Sequence, residues 1–398
     1  MKSSQIKVSD IGEKGLIERI IERSKTCSKC RTDLNSNPSD FATSIGDDSA
    51  LTDIDMDDDS YLVSSSDMLI QSSHFPQEMS YFQMGYKSVV VNVSDLASMG
   101  ADNIGFLLNM AIPKDMLLDD FDEMLCGVIS ACDDYGIPLI GGDTNQANEI
   151  ILSGTAIGHV DKDRALMQFG FQTGDLVCIT GELGLAALGF ELLRLKDMLK
   201  INLFEMVDLE EKISKAYEID STLCDLAIFK ALKPEARYNE GHILRDFNTN
   251  GNRISATDIT DGIASEFYEI LNSDKKYCQS LDFQKMDRKN SQSLNSQDEL
   301  NESDEYSKGI RIYEDKLPVE DEFKEIANVL GLDYLDLFLH IGEDFEFLFT
   351  VNSGLIDQLK DELNFYVIGE ITDKNTVEIV LSNGDMENIS SEGYQHLK

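Results

Sequence analysis

Apolar residues along this chain fall into two spacings, and the change from one to the other marks its elements. Alternation or a short unbroken apolar run reads as strand, and spacing of three and four reads as helix. Ile11, Leu16, Ile17, Ile20 and Ile21 share a face and predict a helix over 10–24, followed by a polar loop over 25–44. A strand over 61–65 leads to Asp67. Phe82, Tyr86, Val89, Val93 and Leu96 predict a helix over 80–99; valines weaken it, but Gly100 supplies a stop. A strand over 104–112, a helix over 117–135 and strands over 137–140 and 150–160 complete the first half. The polar run at 161–164 sets a boundary near 161–173, giving an N-terminal domain over 1–163 and a C-terminal domain over 164–398. In the second domain, strands over 175–180, 254–257, 310–313, 345–351, 366–371 and 376–382 are expected. Helices are expected over 184–196, through much of 197–232, and over 262–271, 320–330 and 354–364. Segment 273–309, rich in Ser, Asn, Gln and charged residues, reads as a disordered surface insertion. Elements alternating in this way predict an α/β (α+β) protein of two domains.

Composition removes several function classes. The chain carries 34 basic against 74 acidic residues, a formal charge of −40. Nucleic acid and anionic membrane surfaces are bound through basic patches, so neither is expected as a partner. No apolar run approaches the ~18 residues of a membrane span, and the run MKSSQIKVSDIGEKGLIERI is amphipathic rather than basic then apolar. Seven cysteines at irregular spacing fit a reducing compartment, so a cytoplasmic protein is expected. Cys27 and Cys30 have knuckle spacing but no second pair, and read as incidental thiols.

The chemistry lies in six acidic motifs: Gly46-Asp47-Asp48, Ser65-Ser66-Asp67, Val93-Ser94-Asp95, Gly141-Gly142-Asp143, Asp258-Ile259-Thr260-Asp261 and Gly342-Glu343-Asp344. Each alone is an ordinary turn. Together they are more, because Asp48, Asp67 and Asp143 follow β-like runs, and strand ends are where α/β proteins place ligands. Asp95 sits within an apolar helix face, where a carboxylate is seldom buried without a partner. Two such charges ~4 Å apart repel by about 4 kcal/mol at an effective dielectric of ~20. Convergence therefore demands cations, and oxygen ligands suit Mg²⁺ completed by substrate phosphates. The set predicts a phosphoryl-transfer site with several Mg²⁺ ions. The acidic run at 53–59 is no calcium loop, since its sixth position is Asp58 and its twelfth Ser64. Gly141 and Gly142 can cradle a phosphate through bare amides, without a P-loop or dinucleotide fingerprint. Tyr135 can stack on a nucleobase or pack in the core, and Thr260 can cap a helix whose amides face an anion.

Taken in order, GDDSAL, SSDM with His74-Phe75, YKSVVVNVSDLASMGA, IPLIGGDT, Asp163-Arg164-Ala165-Leu166, DITDG and GEDFE resemble the thiamine-monophosphate kinase family of the aminoimidazole-ribonucleotide-synthetase-like superfamily. The resemblance spans the chain apart from 273–309 and the acidic stretch around 197–220. It implies phosphorylation of thiamine monophosphate by ATP, direct and in line, with no catalytic nucleophile. That agrees with a site built for positioning and charge neutralisation. By position, Asp48, Ser65, Ser66, Asp67, Asp95, Asp143, Asp258 and Asp261 match Mg²⁺ ligands. Gly142, Asp143 and Thr260 match ATP contacts, joined by Tyr135, Arg164 and Gln168, while His74, Glu343 and Ser391 fall to the thiamine moiety. The implied fold has an N-terminal α/β domain that forms a homodimer through its sheet, a C-terminal α/β domain, and ATP at their junction.

Two positions depart from the family pattern. Gln168 stands where a second arginine is usual, four residues after Arg164, and Arg164 or Arg237 is expected to compensate. Ser391 stands where an aromatic ring is usual, before Gly393-Tyr394. The competing readings are another ATP-dependent enzyme of the superfamily and a non-catalytic metal- or nucleotide-binding relative. A selenophosphate synthetase would want a reactive cysteine in a glycine-rich loop, and Cys27 and Cys30 lie in none.

Overall fold

The computed structural model describes residues 50–53, 59–198, 221–249, 251–290 and 308–391. The expected helix over 10–24, Cys27, Cys30, Asp48 and the Gly393-Tyr394 pair lie outside them.

Strands Ala50–Asp53 (β1), Ser60–Ser65 (β2), Met68–Ile70 (β3), Asp102–Ile112 (β4), Leu139–Gln146 (β5) and Ile151–Asp161 (β6) form one sheet in the order β1-β2-β6-β4-β5, with β3 also on β6. Its pairings are antiparallel except β4 with β5, which run parallel. Strand β6 alternates half-buried and buried positions along most of its length, as a sheet with one covered face should. Helices Gln71–His74 (α1), Tyr81–Ser98 (α2) and Leu118–Asp134 (α3) accompany this sheet, and α2 packs on both β6 and α3.

Helix α2 starts at a capping box, in which Ser80 and Gln83 each bond the other's main chain. It is buried almost all round from Met84 to Ser98, so tertiary packing outweighs the weak helix propensity of Val89, Val90, Val91 and Val93. Its close approach to α3 depends on missing side chains. A Cβ on Gly85 would lie 1.9 Å from Met124 O, and one on Gly127 1.9 Å from Phe82 O.

The second sheet holds Leu176–Ile179 (β7), Ser255–Asp258 (β8), Gly309–Tyr313 (β9), Phe347–Val351 (β10), Tyr366–Thr372 (β11), Val377–Val380 (β12) and Met386–Asn388 (β13), in the order β13-β12-β9-β11-β7-β10-β8. Strand β10 is buried at every position, as its unbroken FLFTV run requires. Around this sheet lie helices Leu185–Met198 (α4), Ser221–Leu232 (α5), Tyr238–Phe247 (α6), Ile263–Asn290 (α7), Asp321–Val329 (α8), Tyr334–His340 (α9) and Ile356–Glu362 (α10). One apolar cluster runs from the first sheet, α2 and α3 into α4 and α5, whereas the strands of the second sheet pack in two clusters of their own. The class is the mixed α/β one expected.

Two elements differ from expectation. Strand β5 does not stop before Gly141 but continues to Gln146, because 141–146 pair with β4. Helix α7 does not end near 271 but runs to Asn290. Ile270, Asp274, Tyr277 and Leu281 recur at helical spacing. Asp274 is buried, accepting from Gly170 N at 2.8 Å and Lys308 Nζ at 2.7 Å, and Tyr277 stacks on Phe169 at 4.3 Å. The first part of the supposed insertion is therefore packed structure, and 291–307 lie outside the described residues. Among the described residues no helix is long and apolar enough to cross a membrane.

Candidate active site

Helix α2 carries two adjacent residues that serve different domains. Consecutive helical positions point ~100° apart, so Ser94 and Asp95 reach different neighbours. Asp95 faces the turn after β2, where Ser65 Oγ donates to Asp95 Oδ2. Ser94 Oγ donates instead to Asp258 Oδ2, at the end of β8 in the other sheet. The same helix fixes the Asp67 backbone, since Asn92 Oδ1 accepts from Asp67 N at 3.0 Å. On the other side, Asp67 O accepts from Gly154 N of β6 at 2.9 Å.

The carboxylates so held press on one another. Asp67 and Asp95 hydrogen-bond through their side chains, a contact that needs a shared proton or a cation in its place. Burial raises the pKa of Asp67, and the bond to Asp95 opposes the rise. Asp258 is pushed up to about 7, first by burial, with the charges of Asp67 and Asp261 adding and the Ser94 hydroxyl opposing.

Between the domains opens a cleft of about 630 Å³, lined among others by Asp67, Asp95, Thr260, Asp261, His74 and Glu343. His74 is fixed at its inner nitrogen, where Nδ1 accepts from Ile70 N at 2.9 Å. Glu343 lies in the loop before β10, with a left-handed φ of 71°.

The carboxylates of Asp67, Asp95, Asp258 and Asp261, the third buried and the others half-buried, fit a hard divalent cation such as Mg²⁺. Among the described residues, no three Asp, Glu, His or Cys side chains close to metal-binding spacing. Mg²⁺ characteristically keeps waters and takes substrate phosphates, so a partial protein shell suits it. Asp48, which would add a further carboxylate, is outside the described residues.

Several expected site residues lie elsewhere. Gly142 and Asp143 are exposed within β5 rather than at a strand end. Gly142 is required by the strand itself, since with φ 149° a Cβ there would lie 1.8 Å from Leu108 O. Tyr135 is core: its hydroxyl accepts from Ala236 N at 2.9 Å, and its ring sits between Tyr86 and Tyr238. Gln168 is buried, donating to Thr257 Oγ1 and accepting from Ser273 Oγ, both at 3.1 Å, and so ties β8 to α7. Arg164 is 44% exposed and paired with Asp246 at 3.2 Å. Arg237 grips buried Glu346 with two nitrogens and is not available to replace a missing arginine. Ser66 Oγ donates to Gly154 O at 2.8 Å, and Ser391 is exposed beyond β13. Lys87 and Asn92 were passed over and Ser94 was named only within its motif, although each showed the signal that singled out Asp95: a polar group among buried apolar positions of one helix.

The model of the AIR synthase related protein N-terminal domain matches residues 46–160. The thiamine-monophosphate kinase of Pyrococcus horikoshii is 31% identical over 356 residues, 89% of this chain and 91% of that one. That of Methanocaldococcus jannaschii is 30% identical over 332 residues, 82% and 86% of the two chains. The solved structure described as AaThiL complexed with AMPPCP and TMP has the same fold, with a TM-score of 0.71 at 22% identity over 99% of this chain and 100% of that one. The fold is thus that of a two-domain protein carrying the AIR synthase related N-terminal domain. Within that class, the chain belongs to the thiamine-monophosphate kinase family.

Proposed function

We propose that this chain transfers the γ-phosphoryl group of ATP directly to the phosphate of thiamine monophosphate, giving thiamine diphosphate and ADP. The observation that carries the reading is the similarity to the Pyrococcus horikoshii kinase along 91% of that protein, combined with a two-domain acidic cleft. A phosphate oxygen of the acceptor forms the new bond to the γ-phosphorus as the bond to the bridging β–γ oxygen breaks, and ADP leaves with that electron pair. No side chain need act as nucleophile, because the acceptor phosphate is already one. Mg²⁺ ions, when bound, offset charge on the transferring and leaving phosphates. Asp67, Asp95, Asp258 and Asp261 would hold them, with the Ser65 and Ser94 hydroxyls orienting Asp95 and Asp258. Thr260, at the mouth of α7, is kept as an ATP contact, and His74 and Glu343 as contacts of the thiamine moiety. Asp48, Ser66 and Asp143 remain expected Mg²⁺ ligands by position in the family alone.

A homodimer built on the N-terminal sheet is part of the reading. Its support is edge strand β5, exposed along its whole length, with Leu139 and Ile140 40% and 54% exposed. Incubation with ATP, thiamine monophosphate and Mg²⁺ is expected to give thiamine diphosphate and ADP in equal amounts, and none in EDTA. Failure to form thiamine diphosphate with Mg²⁺ present would refute the activity, and a monomer in sedimentation at micromolar concentration would refute the dimer.

A further inference from the structure

Lys87 is wholly buried on α2, and the transfer described above makes no use of it. An ammonium has three N–H donors, and here each has an acceptor. His74 O lies at 3.0 Å, and both Glu343 carboxylate oxygens lie at 2.7 Å. The partners come from separate segments: His74 closes α1 of the first domain, and Glu343 belongs to the loop before β10 of the second. Lys87, Val91 and Asp95 are four apart, so they stack along one face of α2, and Val91 and Asp95 line the cleft.

The Glu343 loop has an unusual backbone. Glu343 and Phe345 have φ of 71° and 53°, in a region non-glycine residues seldom adopt. Such residues persist where their surroundings over-determine them. Glu343 N donates to Thr260 O at 2.9 Å and Phe345 N to Ile259 O at 3.1 Å, which lays the loop on the segment bearing Asp258 and Asp261. Lys87 grips the same loop from the opposite domain. Glu343 still keeps 30% of its side chain exposed at the cleft.

We propose that Lys87 is a positioning residue for the acceptor. Its three committed hydrogens hold the Glu343 carboxylate and the His74 main chain in register across the domain junction. The cationic ring of the acceptor then meets a carboxylate already fixed in place and partly neutralised. The identity of the acceptor rests on the kinase reading; the hold on the loop does not.

The test uses the full chain and two variants. Lys87→Met keeps an unbranched stem and removes the donors. Lys87→Met/Glu343→Gln removes both charges, so no buried carboxylate is left unpaired if the single variant fails to fold. In Lys87→Met the KM for thiamine monophosphate is expected to rise at least ~10-fold with the KM for ATP within ~2-fold, because fixing the acceptor, unlike general packing, acts on one substrate, and the double variant, which also removes the Glu343 contact, is expected to show a rise no smaller. Amide exchange over 341–346 in Lys87→Met is expected to be at least ~10-fold faster, with α2 unchanged. An unchanged acceptor KM, equal rises for both substrates, or unchanged exchange over 341–346 overturns the proposal. If the unaltered chain makes no thiamine diphosphate, the kinase reading fails instead, and the exchange measurement alone decides whether Lys87 positions the loop.

Discussion

Neutralising Asp258 is expected to stabilise the metal-free protein above pH 7 while abolishing turnover. Asp258 is buried at the end of β8, and its carboxyl is pushed from 3.8 to about 7, chiefly by burial. From pH 3.8 to about 7 the folded chain holds a proton there that the unfolded chain has released. Stability therefore falls as the pH rises through that window, and the loss is complete above it. At about 1.4 kcal/mol per pH unit, the ionised carboxylate weighs on the fold by about 4 kcal/mol at pH 8. Asparagine carries no charge and keeps an oxygen for the Ser94 hydroxyl. The advantage of Asp258→Asn over the unaltered chain should then widen by roughly 3 kcal/mol between pH 5 and pH 8. For a protein of this size that is a gap in melting temperature of roughly 3–4 °C. Calorimetry in EDTA at several pH values measures it. Adding Mg²⁺ and nucleotide at pH 8 should raise the melting temperature of the unaltered chain much more than that of the variant. A gap that stays flat with pH, or narrows, would refute the view that Asp258 is a buried carboxylate awaiting a cation.

Three further outcomes are expected. Asp95→Asn removes one of two carboxylates in contact and should lower kcat roughly 100-fold or more with circular dichroism unchanged. Arg164→Ala breaks a half-exposed pair with Asp246 and should leave the ATP KM unchanged with a stability loss under about 1 kcal/mol, whereas Arg237→Ala strands buried Glu346 and should lose about 3–5 kcal/mol in urea melts. Tyr135→Phe deprives the Ala236 amide of its acceptor and should cost about 1–3 kcal/mol without moving the ATP KM; a shift of several-fold in that constant would restore Tyr135 to the nucleotide site.

What could be read beforehand follows from where the information lies. The β2 and β6 elements were legible because each buries alternate residues, α2 because its apolar residues recur at helical spacing, and Asp95 because a carboxylate among valines needs a partner. Helix α7 was hidden because Asp274, one of its inward residues, is charged, and its partners Gly170 and Lys308 are distant in sequence. Strand β5 was cut short because Gly141-Gly142-Asp143 is turn chemistry, and only its parallel pairing with β4 makes it a strand. Gln168 was assigned by position in the family, and its bonds to Thr257 and Ser273 join segments that no local pattern connects. Lys87 carried the same signal as Asp95, but a helix lysine usually snorkels outward, and the carboxylate that buries it lies 256 residues away.

Helix α2 is the wall that both domains share, and its charges explain how a chain of net charge −40 can receive an anionic nucleotide. At one end of the helix the protein supplies its own counter-ion, since Lys87 answers Glu343. Two turns further on, Asp95 meets Asp67, and Ser94 holds Asp258 against the charges of both Asp67 and Asp261. These carboxylates come from both sides of the junction, so their repulsion opposes closure of the very cleft they line. On the proposed reading a bound divalent cation would reverse the sign of that interaction, joining carboxylates of the two domains and presenting positive charge to the phosphates. Nucleotide binding would in this way be coupled to metal binding, with Lys87 holding the other end of the cleft.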